Sequence, residues 1–117
     1  MTHLEQIKQR LGISGIATTT SSWRKLGGDA NKGAQIDLVI DRADRIINLC
    51  EMKFSVNPYR ITDNYEETLR NRMSIFQTQT GTTKTLVTTF VTTFGVADGL
   101  HRSIVNSEVT MDDLFHE

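Results

Sequence analysis

Two rhythms of apolar residues run along the chain, one stepping by three and four and the other by two, and they divide it into helical and extended segments. Leu4, Ile7 and Leu11 follow the helical rhythm, and Gly12 stands where a helix end favours a left-handed residue, so residues 2–11 read as a short helix. A helix this short is marginal on its own, which leads us to expect a fragment or a domain that once continued upstream. Residues 13–23 are rich in β-branched and small side chains (Ile13, Ile16, Thr18, Thr19, Thr20) and read as a strand. Residues 24–33 hold three glycines with Asp29 and Asn31, the composition of a mobile loop.

Residues 34–41 (AQIDLVID) and 45–54 (RIINLCEMKF) are strand-like runs separated by Arg42, Ala43 and Asp44, short enough for an antiparallel hairpin. Alternation places Ile36, Leu38 and Ile40 on one face and Val39, Ile47 and Leu49 on the other, so the hairpin is expected at the centre of a sheet covered on both sides. After Asn57 and Pro58, Thr62 and Asp63 offer caps for a helix over residues 62–78, whose Tyr65, Leu69, Met73 and Phe76 share one stripe. Gly81 ends it. Residues 84–94 (KTLVTTFVTTF) repeat VTTF in tandem; the pairs recur every four residues, but the β-branched content decides for strand. A last strand is expected over 103–110 and a last helical turn over 110–115, capped by Thr110 with Asp112 and Asp113 near its positive end. The order α, β, β, β, α, β, β, α predicts an α/β (α+β) class with a mixed sheet.

Composition narrows the functional classes. The 117 residues are 38% hydrophobic and 23% charged with a formal charge of −1, which suits a single domain over 1–117 and excludes a disordered chain. That balance neither indicates nor excludes nucleic acid, because local patches matter more than the total. Cys50 is the only cysteine and His3, His101 and His116 are scattered, so an internal disulfide and a zinc-finger spacing are both excluded. The sequence has no apolar run of about 18 residues, no signal-peptide layout and no phosphate-binding GxxxxGK[ST] loop, which leads us to expect a cytoplasmic protein with no membrane partner.

Asp37, Glu51 and Lys53 are the anomalies, since they interrupt otherwise apolar strands. If Asp41 pairs with Arg45, Asp37 lies opposite Leu49 and diagonal to Glu51, with Cβ atoms roughly 7 to 8 Å apart. Glu51 and Lys53, two apart on one strand, share a face in any register. A buried unpaired carboxylate costs several kcal/mol, so compensation must come from a cation. Spacing alone leaves two sources open: an ion pair of Lys53 with one acid while the other sits at a solvated edge, or a Mg²⁺ or Mn²⁺ ion held by both acids.

The series Gly33-Ala34-Gln35-Ile36-Asp37-Leu38-Val39-Ile40 and Ile47-Asn48-Leu49-Cys50-Glu51-Met52-Lys53 resembles the PD-(D/E)xK nuclease superfamily. With Trp23-Arg24 and the TMDDLF of residues 110–115 added, the chain is similar to the C-terminal domain carried by certain bacterial and archaeal AAA-type ATPases, and the likeness covers most of its length. This resemblance implies a restriction-endonuclease-like αβββαβ core. It implies that Asp37, Glu51 and the Met52 carbonyl hold the divalent ion, while Lys53 orients water and stabilises charge building on phosphate. A further acid often comes from the first helix, where Glu5 is the sole candidate; Ile36 stands where the family has its proline.

The implied function is metal-dependent hydrolysis of DNA phosphodiesters in association with an ATPase module in cis or trans. The alternative is an interaction or regulatory domain that keeps the fold without the chemistry. Secondary candidates are Gln77 and Gln79 at the helix end, Arg60, Arg70, Arg72 and Lys84 for phosphate steering, and Trp23 for stacking. Each has a plainer reading: solvated glutamines, an Arg70–Glu66 helix pair and a core tryptophan. Cys50, on the face away from Glu51, reads as a small buried apolar residue.

Overall fold

The computed structural model describes residues 4–25, 34–99 and 102–111. Helix α1 (Leu4–Leu11) is followed by strands β1 (Thr18–Lys25), β2 (Ala34–Arg42) and β3 (Ile46–Lys53), helix α2 (Asp63–Thr80), strand β4 (Thr85–Thr92), a 3-10 turn at Arg102–Ile104 and strand β5 (Ser107–Thr110). The five strands form one mixed sheet in the order β1-β2-β3-β4-β5. β2 pairs antiparallel with β1 on one side and β3 on the other, whereas β4 and β5 each run parallel to the strand before them in that order. The class is therefore α+β. Of the loop expected at 24–33, Arg24 and Lys25 belong to β1 and the rest lies outside the described residues; of the helical turn expected at 110–115, Thr110 ends β5 and 112–115 lie outside the described residues.

Local chemistry explains both helix ends. Gly12 takes φ 76°, its N–H donates to Gln9 O and the Ile13 N–H to Lys8 O, the paired bonds of a Schellman cap. That cap draws Ile13 into the core and the Ile16 N–H back to Ile13 O, so residues 13–17 form a turn and not the expected start of a strand; β1 begins at Thr18. Thr62 caps α2 by accepting from the Tyr65 N–H, and Gly81 at φ 66° ends it. At the other end of the chain, Asn106 bonds both backbone groups of Thr88 through its side chain and N–H, and β5 starts only after it.

One apolar layer lies between α1 and the sheet, built from Ile7, Ile13, Leu38, Ile40, Cys50, Val91 and Val109. The opposite face packs on α2 in two clusters, Ile36, Val39, Ile47, Leu49 and Phe76, then Ile61, Leu69, Phe90, Val96 and Ile104. The central hairpin is covered on both sides, as its doubly apolar pattern requires.

Two details of that hairpin differ from the sequence expectation. The register joins Asp41 to Ile47, not to Arg45, and the turn is Ala43, Asp44 and Arg45 with Arg45 at φ 69°. A three-residue hairpin loop needs a left-handed third residue, and Arg45 supplies it while Arg42 is held by Asp44 at 2.9 Å. Ile36 also leaves the face of Leu38 and Ile40. Ser21 pairs with Val39 and Trp23 with Ile36, so β2 carries one extra residue at positions 37 and 38, a bulge that inverts the alternation there.

Candidate functional site

Asp37 lies in the bulge of β2, where the ladder to β3 ends. Registered pairing of β2 with β3 stops at Leu38 and Cys50, and Leu49 pairs with Val39, so Asp37 does not lie opposite Leu49 as expected. Beyond the last pair the Met52 backbone N–H donates to Asp37 Oδ2 at 3.2 Å, so the carboxylate takes a donor at the point where the ladder ends. Asp37 is exposed.

Glu51 faces α2 and is only 4% exposed. Its partner is Arg72, whose guanidinium donates to Glu51 Oε1. The ion pair foreseen for Lys53 is thus made by Arg72 instead: from β3, the Lys53 ammonium lies over the Tyr65 ring, 4.8 Å from its centre, and 5.9 Å from that of Tyr59. The Arg72 guanidinium also stands 5.8 Å from the Tyr65 ring centre. Two cations and one buried acid therefore converge on a tyrosine platform. Tyr65 Oη is itself buried and makes no hydrogen bond of full geometry among the described residues, though it interacts with the Arg72 guanidinium.

The electrostatics follow from burial. Desolvation raises the Glu51 carboxyl above its ordinary range; Arg72 opposes this by charge and by hydrogen bond, and the Asp37 carboxylate adds to it. Partial burial works against the charge of the Arg72 guanidinium, but the charge and hydrogen bond of Glu51, with a lesser part from Tyr65, together outweigh it and hold the group further in its charged form. Burial, then the charge of Glu51, pushes Tyr65 up to about 12. Cys50 points to the α1 side and is fully buried; desolvation first, then Glu51 and Asp37, pushes its thiol up to about 12, which makes it inert, as its apolar reading anticipates.

The structure thus brings Asp37, Glu51, Met52 and Lys53 to one end of the central strands, but it does not bring Glu5 to them. Glu5 is exposed on α1, which covers the face opposite Glu51, and among the described residues no three His, Cys, Asp or Glu side chains gather. A divalent ion still fits the pair. The Asp37 charge acts unfavourably on Glu51, exposed Asp37 leaves an approach from water, and Mg²⁺ takes one or two carboxylates while keeping water or substrate oxygens for the rest.

Among the weaker candidates, Gln77, Gln79 and Arg60 are exposed without a described role, Arg70 meets Glu66 at 3.6 Å, and Lys84 binds Asp41 at 2.5 Å and Arg42 O at 2.9 Å. Trp23 packs edge-on against Phe76, ring centres 5.2 Å apart, which is the core role. The part of Arg72 as counter-ion escaped sequence reasoning. Its signal was position: Arg72 lies three residues after Leu69 and four before Phe76, on the stripe that faces the sheet.

No family model matches the sequence, and no curated protein sequence matches it. The fold is similar to that of a solved structure described as a protein of unknown function, AF1548, with a TM-score of 0.57 at 14% identity over 93% of this chain. The chain spans 57% of the length of that protein. At such identity the likeness concerns the fold alone.

Proposed function

We propose that this domain is a metal-dependent nuclease with a restriction-endonuclease-like core, hydrolysing DNA phosphodiester bonds as part of, or beside, an AAA-type ATPase. The observation that carries the reading is the contact of Asp37 with β3 beyond the last registered pair, where the Met52 N–H donates to its carboxylate between Glu51 and Lys53. The order α1, β1, β2, β3, α2, β4 agrees with the αβββαβ core that the sequence resemblance implies. Asp37 and Glu51, with the Met52 carbonyl, would hold Mg²⁺ or Mn²⁺, which supplies charge stabilisation and an activated water when bound. Lys53 contributes a fixed positive charge where a phosphoryl oxygen would gain negative charge, and the Tyr65 ring beneath its ammonium orients it. Arg72 opposes, by charge and hydrogen bond, the pull of burial on Glu51 towards its neutral form.

A second reading, a domain that binds partners without cleaving, is favoured by one observation: Glu51 already has a resident cation in Arg72. Single-stranded, double-stranded and branched DNA, each incubated with the protein and Mg²⁺ or Mn²⁺, separate the two. A metal-dependent product that disappears in Asp37→Ala supports the nuclease; no product from any substrate with either metal, with an ATPase partner supplied, overturns it.

A further inference from the structure

Glu51 cannot serve a guanidinium and a divalent ion in the same way at the same time. Arg72 reaches it from α2, across the helix–sheet gap, and donates to Oε1 of a carboxylate whose side chain is 5% exposed. A doubly charged ion bridging Glu51 and Asp37 would meet that guanidinium within hydrogen-bond reach of the same carboxylate, in a setting where water screens little. Resting on the reading of Asp37 and Glu51 as a cation site, we infer that Arg72 is a resident counter-ion that the incoming cation displaces from Glu51, so that cation uptake and release of the guanidinium are one exchange.

The surroundings already contain what the released group needs. The Arg72 side chain is 25% exposed, so it can turn towards water while its stem stays on α2. The Tyr65 ring lies 5.8 Å from its guanidinium carbon, and the buried Tyr65 Oη, which already interacts with Arg72, has lone pairs for a guanidinium N–H. The hydroxyl can therefore take up the guanidinium that Glu51 gives up. The exchange also keeps Glu51 compensated in both states, by Arg72 when empty and by the cation when loaded, and it releases a phosphate-binding group only once the cation is present.

The test is binding of Mn²⁺ alone to the whole chain, by calorimetry, for wild type and Arg72→Met, which keeps the stem and removes the competitor. The exchange predicts at least tenfold tighter Mn²⁺ binding in Arg72→Met and a larger rise in melting temperature on adding Mn²⁺. Mn²⁺ binding in Arg72→Met equal to or weaker than in wild type overturns the exchange and leaves the carboxylate site standing, whereas absence of Mn²⁺ binding in both proteins overturns the two together. If Arg72→Met does not fold, the wild-type Arg72 Nε–Hε resonance decides: it must shift and saturate with Mg²⁺, and an unmoved resonance at saturating Mg²⁺ refutes the exchange.

Discussion

Removing either member of the Glu51–Arg72 pair should have unequal consequences, and the inequality follows from where each sits. In Arg72→Met the carboxylate, 5% exposed, remains charged in an apolar layer with no strong counter-ion. Breaking a buried pair costs about 3 to 5 kcal/mol; because the guanidinium keeps some contact with water, we take the lower end, about 3 kcal/mol at pH 8. Glu51→Gln leaves the other partner, and Arg72 at 25% exposure can rehydrate while Gln still accepts one N–H, so about 1 kcal/mol is expected. The pH dependence has a definite sign. Burial already holds the folded Glu51 carboxyl above its ordinary 4.5, so its charged form costs stability above the folded value, and that cost fades as pH falls towards 4.5. Losing Arg72, the main influence holding it down, raises the carboxyl further. The deficit of Arg72→Met should therefore shrink steadily from pH 8 to pH 5, while that of Glu51→Gln, which removes the titrating group, does not shrink and widens as the wild type regains stability towards pH 5. Urea unfolding of both variants at several pH values reads this directly. Equal deficits at pH 8, or an Arg72→Met deficit independent of pH, would refute the burial account of the pair.

Three further outcomes are expected. Lys53→Met should abolish metal-dependent cleavage while leaving Mn²⁺ binding and stability within about 1 kcal/mol of wild type, since the stem is retained and only an ammonium–ring contact is lost; nuclease assay and calorimetry check it together. Asn48→Ala should cost about 2 kcal/mol in urea unfolding, because buried Asn48 accepts from Arg42 at 3.1 Å and donates to Thr89 at 2.9 Å, linking β2, β3 and β4. Gly81→Ala should lower stability by about 1 kcal/mol in a thermal melt through its φ of 66° alone, since nothing lies within 4 Å of an added Cβ.

Much of the framework was legible because it rests on local patterns. The stripe of Tyr65, Leu69, Met73 and Phe76, with Thr62 and Gly81 at its ends, defines α2, and the β-branched VTTF repeats define β4 against their helical period. What escaped was set by residues distant in sequence. Alternation put Ile36 with Leu38, but pairing with Ser21 and Trp23 of β1 requires an extra residue in β2, and a bulge leaves no mark on periodicity. The hairpin register depended on Arg45 accepting a left-handed conformation, which glycine would have announced and arginine does not. The acids were found because they interrupt apolar strands. The identity of their counter-ion was not, since Lys53 is near in sequence while Arg72 arrives only after α2 folds back over β3.

The central claim is that Asp37 and Glu51 form one cation site, and Mn²⁺ titration of wild type against Asp37→Asn tests it most directly. Asn keeps the shape and an oxygen for the Met52 N–H, and position 37 is exposed, so the fold should survive. The account predicts one Mn²⁺ per chain in wild type and at least tenfold weaker binding in Asp37→Asn. Equal Mn²⁺ affinity in the two proteins would contradict it.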